Sequence, residues 1–335
     1  MSLVVRTIGP AAAFQDTGRA GHFAFGLTRG GAIDGDALTE GAALLEQDMN
    51  LAAIEMAGMG GTFEATAPLR IALTGADMTA RIGERAAAWN ACHQLQAGEL
   101  LTIGAARSGT YAYLHVGGGF DAPRFMGTRG AHMSAGLGTL ISPGDVLKVL
   151  PDPGGRTGFA LPVPDRFSGG TVRIVPSMQT GQFPEETRAR FEATTFTRDA
   201  RANRQGMRMQ HDGPGFSAEA QRSIVSEIIV PGDIQITGDG TPFVLMCESQ
   251  TTGGYPRIGT VIPSDLPRVA QCPVGGTLRF RFVTLAEAQD IERKAATSRK
   301  GLPARATPIT RDPSQIADLL SYNLISGAVR AGDET

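Results

Sequence analysis

Lysine is scarce in this sequence, and its scarcity excludes several kinds of chemistry. Among the 31 lysine and arginine residues only Lys148, Lys294 and Lys300 are lysines, within Leu-Lys-Val, Arg-Lys-Ala and Arg-Lys-Gly. None matches the Met-Lys-Met sequence at which biotin is attached, and no G-x-x-x-x-G-K-[ST] phosphate loop occurs. If ATP or biotin takes part in the function of this protein, we expect another chain to provide much of the ATP binding or the biotin attachment.

Cysteines and long apolar runs are also few. The three cysteines, Cys92, Cys247 and Cys272, are odd in number and widely spaced, which indicates reduced thiols rather than a disulfide framework. No apolar run approaches the ~20 residues that span a bilayer, and residues 1–6 are too short for a secretory signal. We expect a soluble, cytoplasmic protein without a membrane partner.

The sequence has neither an excess of charge nor a familiar catalytic motif. Its 33 acidic and 31 basic residues give a net charge of -2, so nucleic acid is not a predicted partner. H-E-x-x-H, C-x-x-C and G-x-S-x-G are missing, and residues 58–61 do not match G-x-G-x-x-G. Since the histidines lie in separate segments, we predict no metal site. They are His22, His93, His115, His132 and His211.

What the sequence does contain predicts an all-β fold, mainly β with few helices. The 44 glycines and 20 prolines separate short runs of β-branched and apolar residues, such as residues 69–73 and 278–283. A chain of 335 residues with 41% apolar residues should form two domains or two fused half-domains.

Helix signals are limited to four places. Asp34 is a predicted N-cap for a helix through Leu45, and Pro184 opens one through Phe191. The later two are a capping box, Thr284 with Glu287, before residues 285–296, and a helix from Asp312-Pro313, with Gln315, that should stop near Gly327.

Four prolines and five glycines within residues 151–170 disfavour regular structure, so we predict the boundary between the halves there. The predicted units are an N-terminal β-barrel half at 1–155, a C-terminal β-barrel half at 170–285 and a helical tail at 286–335.

A faint repeat suggests that the halves are related. Turns at residues 97–99, 109–110 and 143–147 match turns at 231–233, 240–241 and 275–278 at similar offsets. We predict that Gly98 superposes on Gly232 and that Gly144 lies near Gly275. The alternative is chance, because glycine turns are abundant in this sequence.

Two early loops combine acidic or basic groups with glycine, a combination that suits anion binding. In residues 14–19, Asp16 and Arg19 share one tight turn, where they would either pair with each other or orient a ligand. Residues 30–34 lead into the first predicted helix, so Asp34 is interpreted as an N-cap rather than an acid or base.

Two later loops are denser in polar groups. Residues 201–209 concentrate arginines and an asparagine around a glycine. This predicts a strong local field that attracts a carboxylate or phosphate. The alternative is a solvated hairpin. Residues 248–257 follow an apolar strand, and here the functional interpretation is favoured. The residues concerned are Arg201, Asn203, Arg204 and Arg208 in the first loop, and Glu248, Gln250, Thr251, Thr252, Gly253, Gly254, Tyr255 and Arg257 in the second.

The same loops resemble a known family, variously called biotin-dependent carboxyltransferase, allophanate hydrolase subunit 2 and the C subunit of 5-oxoprolinase. It includes the carboxyltransferase part of urea amidolyase. The resemblance covers most of residues 5–285 and rests on residues 15–19, 31–34, 232–235 and above all 250–258. It implies cyclophilin-like β-barrels in related halves, a companion B subunit of similar fold, and a small amide substrate such as 5-oxoproline, urea or allophanate.

The sequence departs from the family pattern at three loops. Where the family usually has Asp-Arg-Met-Gly-Tyr-Arg-Leu, this sequence keeps Arg204, Gly206 and Arg208 but has different residues at 205, 207 and 209. The usual Gly-Ser-Arg-Ser-Thr becomes residues 127–131, and the usual Gly-Pro-Gln becomes residues 175–177, so that hydrogen-bonding groups are lost. We expect these changes to bear on the substrate pocket.

The leading hypothesis is ATP-linked ring opening of 5-oxoproline or a related small amide, in which oxyanion donors and positioned carboxylates are needed. Asp16 and Glu248 would handle protons, and Thr251 and Thr252 would hold developing charge. Predicted substrate or anion ligands are Arg19, Asn203, Arg204, Arg208, Gln235, Gln250, Gly253, Gly254, Tyr255 and Arg257.

Two alternatives stay open. One is carboxyl transfer from carboxybiotin to a urea-like acceptor, with the biotin attached to another chain. The other is a non-catalytic regulatory protein that binds a companion protein. In the leading hypothesis ATP belongs to the complex, and its binding by the companion subunit or by this chain stays open.

Overall fold

The computed structural model describes residues 1–218 and 226–309, which are built mainly from β-strands, as predicted. Twenty strands are found in these ranges. They are β1 (Ser2–Ile8), β2 (Ala13–Gln15), β3 (Ala53–Ala57), β4 (Gly61–Ala65), β5 (Leu69–Ile82), β6 (Arg85–Ala86), β7 (Ala91–Leu95), β8 (Leu100–Val116), β9 (Val146–Lys148), β10 (Phe159–Ala160), β11 (Gly170–Val175), β12 (Phe196–Arg198), β13 (Gly206–Gln210), β14 (Glu227–Ile228), β15 (Asp233–Ile236), β16 (Pro242–Leu245), β17 (Thr252–Gly253), β18 (Arg257–Val261), β19 (Thr277–Phe282) and β20 (Thr307–Pro308).

Helices are few in the described ranges, and none there is long and apolar enough to cross a membrane. They are α1 (Gly35–Leu45), α2 (Glu185–Ala193), α3 (Leu266–Gln271), α4 (Leu285–Lys300) and α5 (Leu302–Arg305). Short 3-10 turns lie at Phe23–Phe25, Met133–Ala135, Thr180–Gln182 and Pro263–Asp265.

Three of the four predicted helices are confirmed. The Asp34 side chain accepts hydrogen bonds from the backbone N–H groups of Asp36 and Ala37 and caps α1. The predicted capping box of Thr284 and Glu287 opens α4. α2 begins directly after Pro184, whereas the helix predicted from Asp312 lies outside the described residues.

The first half of the chain forms an eleven-stranded sheet. Its order is β20-β10-β7-β5-β8-β4-β1-β9, with β3 beside β8, β2 beside β3, and β6 beside β5. The centre is the long hairpin of β5 and β8, whose inward side chains, together with Phe63 of β4 and Leu3 of β1, form an apolar core. β10 lies inside the predicted boundary segment at residues 151–170, and β20 follows α5, so segments before and after the barrel strands contribute to this sheet.

The second half forms a closed barrel in the order β11-β18-β15-β16-β13-β12-β19. Aromatic rings fill its core: Phe191 of α2 lies 4.9 Å from Phe196 and stacks on Phe280 at 5.3 Å between ring centroids. Closure leaves no unpaired barrel edge, so the loops between strands are held by a rigid frame.

The predicted relation between the halves has support at the turns. Gly98, Gly232, Gly144 and Gly275 all have positive φ, between 77° and 99°, and each stands just before a strand. The halves differ in how their first and last strands pair. β1 pairs with β9 antiparallel in the first half, whereas β11 pairs with β19 parallel in the second. Superposition of the halves, and the boundary at residues 151–170, stay predictions.

A buried ion cluster joins α1 to the segment that leads into the barrel. Arg166 donates from Nε to Asp34 at 2.8 Å and from both Nη atoms to Glu40 at 2.7 and 2.8 Å. Burial raises the pKa of Glu40, although the charge of Arg166 opposes this effect. Since all three side chains are at most 8% exposed, each carboxylate depends on the guanidinium for compensation.

We therefore predict that Arg166→Ala strongly destabilises the fold. Removing the guanidinium leaves two buried carboxylates unpaired, and the expected loss in the free energy of unfolding is about 3–5 kcal/mol. Urea unfolding measures it. The control is Arg85→Ala, whose pair with Glu99 joins side chains that are 67% and 27% exposed, with an expected loss below about 1 kcal/mol. Equal losses in both variants would contradict the prediction.

Candidate functional site

Polar side chains from six separate segments meet where the first sheet contacts the barrel. Hydrogen bonds and ion pairs link seven of these side chains, and the eighth, Arg19, approaches Gly30 beside the His132 ring. We call this group the junction cluster, and it consists of Arg19, Thr28, Glu55, His132, Ser134, Arg204, Glu248 and Ser249. It includes three predicted site residues, Arg19, Arg204 and Glu248.

Arg204 spans the contact between the halves. From the loop before β13 it donates through Nε to Glu248 at 2.6 Å, and it also bonds the Glu55 carboxylate of β3 and the carbonyl of Gly31. Burial acts to lower the pKa of Arg204, but the surrounding negative groups raise it well above its ordinary value. Its donors are therefore committed to partners within the chain.

Glu248 is held as an ionised carboxylate. One oxygen accepts from Arg204, and the other accepts from the backbone N–H and hydroxyl of Ser134 at 3.0 and 2.9 Å. Burial acts to raise the pKa of Glu248, yet the charge of Arg204 and these hydrogen bonds outweigh it and lower the pKa. Such a group is better suited to orienting its neighbours than to donating a proton.

Asp16 organises the loop at residues 127–131. Its carboxylate accepts from the backbone N–H groups of Gly18 at 2.9 Å, Arg129 at 2.8 Å and Gly130 at 3.2 Å, and from the Thr128 hydroxyl. A Cβ on Gly130 would lie 2.7 Å from an Asp16 oxygen, so the close contact between this carboxylate and the backbone favours glycine at residue 130. Asp16 is thus engaged by this loop, and no hydrogen bond to Arg19 occurs among the described residues.

Arg19 is buried, at 2% exposure, without a full set of partners. Nη2 donates to the carbonyl of Gly130, whereas Nε and Nη1 have no acceptor within residues 1–218 and 226–309. Burial lowers the pKa of Arg19, although the charges of Asp16 and Glu248 oppose the shift. Gly30 allows this packing, because a Cβ there would lie 3.2 Å from Nη1 and 3.0 Å from the His132 ring. Two of the three guanidinium nitrogens of Arg19 are thus buried without an acceptor in the described part of the chain.

A second group of predicted residues lines an open pocket of about 280 Å³, the amide pocket. The predicted residues on its wall are Asn203, Gln235, Gln250 and Tyr255. Gln235 is 7% exposed, and its Nε2 has no acceptor among the described residues. Gly253 permits this position, since a Cβ there would come within 2.5 Å of that nitrogen. Ser249 also lines the pocket, so the amide pocket adjoins the junction cluster.

The other predicted residues lie apart from these two groups or are bound within the chain. Thr251 is buried and its carbonyl accepts from Ile229, while Thr252 and Gly253 form β17, paired with β14. Gly254 is exposed. Arg208 pairs with Asp199 and lines a separate polar pocket of about 460 Å³.

Arg257, a predicted anion ligand, is engaged by partners within the chain. It donates from Nη2 to Glu227 at 2.7 Å and from Nη1 to the Ile228 carbonyl at 2.9 Å, with Asp233 at 3.3 Å. This geometry favours a structural role for Arg257 in fixing β14 against β15 and β18.

Sequence reasoning missed Thr28, Glu55, His132 and Ser134. Glu55 carries a signal, because it is the one acidic residue in the buried strand β3, where a charge needs a partner. His132 and Ser134 directly follow the loop at residues 127–131, which the family resemblance had marked. Thr28 has no sequence signal.

Comparisons with known proteins agree with this architecture. The family model described as carboxyltransferase domain, subdomain A and B, matches residues 25–282. The C subunit of 5-oxoprolinase from Haemophilus influenzae is 32% identical over 290 residues, which cover 84% of this chain and 92% of that protein. The chain belongs to the carboxyltransferase domain family. The resemblance predicted from residues 250–258 is therefore confirmed.

Two further relatives extend the comparison. The C subunit of 5-oxoprolinase from Escherichia coli is 32% identical over 280 residues, covering 82% of this chain and 89% of that protein. The crystal structure of the K. lactis urea amidolyase matches with a TM-score of 0.81 at 21% identity. That match covers 93% of this chain and 21% of the amidolyase, and it establishes a shared fold.

The partners of Arg257 predict that Arg257→Lys destabilises the protein. Lysine keeps the charge but loses the guanidinium contacts to Glu227, Asp233 and Ile228, and the expected loss is about 1–3 kcal/mol in the free energy of unfolding. Thermal and urea unfolding measure the effect. The matched control, Arg293→Lys, alters an exposed pair and should leave stability unchanged. Unaltered stability of Arg257→Lys would contradict the structural role and favour the predicted role of Arg257 as an anion ligand.

Proposed function

We propose that this chain is one subunit of an ATP-dependent amide hydrolase of the 5-oxoprolinase type and acts together with a companion subunit. Two relatives, each named as the C subunit of 5-oxoprolinase, align over most of their own length at 32% identity. The observation that carries the proposal is the buried guanidinium of Arg19, which has spare donors at the junction cluster. A small substrate such as 5-oxoproline bears a carboxylate and an amide carbonyl, the groups that such donors recognise.

The environment of Arg19 supports binding of a single small anion. Arg204, Glu55 and Glu248 already satisfy one another, so the positive charge of Arg19 is the least compensated in the cluster. Inside a region of low dielectric constant an arginine with free N–H groups binds a carboxylate or an oxyanion more strongly than it would in water. Arg19 would hold the substrate carboxylate or the developing oxygen charge.

ATP and biotin fit this chain less well than a carboxylate does. The junction cluster offers one incompletely paired guanidinium, and the sequence has no lysine-bearing phosphate loop. We assign ATP binding to the companion subunit, where it would supply the driving force for amide activation. Biotin enters only with the second candidate function, attached to another chain.

The second candidate function is carboxyl transfer to a urea-like acceptor. The description of the family model and the fold of the K. lactis urea amidolyase favour it, and the same anion donors would serve a carboxylate being transferred. The two functions differ in their required co-substrate. Turnover that needs a carboxybiotinyl protein, and not ATP with 5-oxoproline, would select carboxyl transfer.

We predict that Arg19→Met lowers kcat/KM for 5-oxoproline in the purified two-subunit complex by at least about 100-fold. The estimate follows from losing one preorganised donor to an oxyanion or carboxylate. Removing an incompletely paired buried charge should change the free energy of unfolding by less than about 1 kcal/mol. ATP-dependent ring opening and urea unfolding are measured on the same preparation.

Arg107→Met is the control, because Arg107 forms an exposed pair with Asp77 and should retain wild-type turnover. Normal turnover of Arg19→Met would refute the role of Arg19. A wild-type complex that opens no amide with ATP would refute the hydrolase proposal and favour the regulatory alternative.

A further inference from the structure

His132 has an unusual position within the junction cluster. It directly precedes the exposed 3-10 turn Met133–Ala135, yet the residue is only 3% exposed. Its ring packs beside Gly30, on the side where Nη1 of Arg19 also approaches. His132 therefore lies next to the incompletely paired guanidinium and one residue away from the protein surface.

The hydrogen bonds of Thr28 fix the proton on the ring of neutral His132. The Thr28 hydroxyl lies 2.9 Å from the carbonyl oxygen of Ser249 and 3.0 Å from Nε2 of His132. A carbonyl only accepts, so the single hydroxyl proton of Thr28 is donated to Ser249. The Thr28 oxygen must then accept from Nε2–H, and Nδ1 is left with a free lone pair.

Nothing in the described part of the chain donates a hydrogen bond to that lone pair. The nearest carboxylate oxygen, on Glu248, is 3.9 Å from Nδ1, which is too long for a hydrogen bond. That oxygen already accepts two bonds from Ser134. Nδ1 is thus a buried proton acceptor without a protein partner.

The charges around the ring favour its neutral form at neutral pH. Burial lowers the pKa of His132, and the positive charges of Arg19 and Arg204 act in the same direction, while Glu248 and the backbone of His132 itself oppose them. The shift starts from an ordinary value of 6.5. At neutral pH most of the protein therefore carries Nδ1 as a base.

We propose that His132 is the general base of this site, with Nδ1 taking a proton from the attacking water while Arg19 binds the negative charge that develops on the substrate. The inference rests on the proposed amide hydrolysis and deepens it. Thr28 is a positioning residue, because it acts through the tautomer of His132. Glu248 orients the surrounding loop through Ser134.

The proton balance of the step is complete. As Nδ1 takes a proton from water, the water oxygen bonds to the amide carbon, and the carbonyl electron pair moves to the carbonyl oxygen beside Arg19. When the C–N bond breaks, its electron pair goes to nitrogen, which takes the proton back from the imidazolium. Water and amide become a carboxylic acid and an amine, which then exchange a proton with solvent.

The first test compares His132→Gln with wild type in the purified two-subunit complex. Glutamine can keep a donor toward Thr28 but provides no base at the position of Nδ1, so kcat should fall at least about 100-fold while KM changes less than about threefold. Wild-type kcat/KM should show an acidic limb whose midpoint lies below 6.5, the ordinary histidine pKa, since protonation removes the base. The variant should lack this limb.

His93→Gln is the matched control, because His93 bonds a backbone carbonyl away from the cluster and should leave kcat unchanged. Urea unfolding of both variants accompanies the kinetics. A His132→Gln complex that retains wild-type kcat, or that retains the acidic limb, would overturn the general-base assignment.

The second test does not depend on turnover. Long-range ¹⁵N–¹H correlation spectra of the chain at pH 8 should show His132 protonated on Nε2 and unprotonated on Nδ1, and Thr28→Val should weaken this preference. A proton on Nδ1 in wild type overturns the inference, whatever the activity. If the wild-type complex hydrolyses no amide, the proposed function fails separately, and the general-base assignment, which rests on it, falls with it.

Discussion

Every charge buried between the sheet and the barrel has to be compensated within a region of low dielectric constant, and this requirement ties the two halves together. Arg204 joins Glu248 to Glu55, and Glu55 accepts from Tyr113 at 2.6 Å. Tyr113 in turn accepts from the backbone of Asp34, which also binds Arg166 and Gln271. Such a network stabilises only one arrangement of its members, because each broken link leaves a buried polar group unpaired.

The same network explains why a few polar atoms are left over. Glu55, Glu248 and Arg204 satisfy one another, and Asp16 is occupied by the loop at residues 127–131. Nε and Nη1 of Arg19 therefore have no acceptor, and Nδ1 of His132 has no donor, among the described residues. Buried polar groups in proteins are nearly always hydrogen-bonded. Within the junction cluster the unpaired buried atoms belong to Arg19, His132 and Ser249, and such a concentration is expected at a site that binds a ligand rather than at one that serves only stability.

The sequence predicted the local features of the fold and fewer of its distant pairings. The caps at Asp34 and Thr284 follow from interactions within three residues, and they were found. The partner of Arg257 depends on the register of β15 against β18, which shifts between Ile234 and Gln235, and such an irregularity has no sequence signal. Likewise Asp16 and Arg19 are neighbours in sequence, yet the partners of Asp16 include Thr128 and Gly130, more than a hundred residues away.

The same limit applies to predicting the chemical groups of the candidate site from the sequence. The site matches no histidine motif, because motifs detect groups that are close together in sequence. Thr28, His132 and Ser249 come from three segments that only the folded chain brings together. Arginine and glycine in loops were a better guide, since Gly30 lets Arg19 and His132 approach the backbone closely and Gly130 does the same for Asp16. Glycines mark where a backbone must approach a charged side chain closely, and they indicate a site even when its base and its orienting groups cannot be named from the sequence.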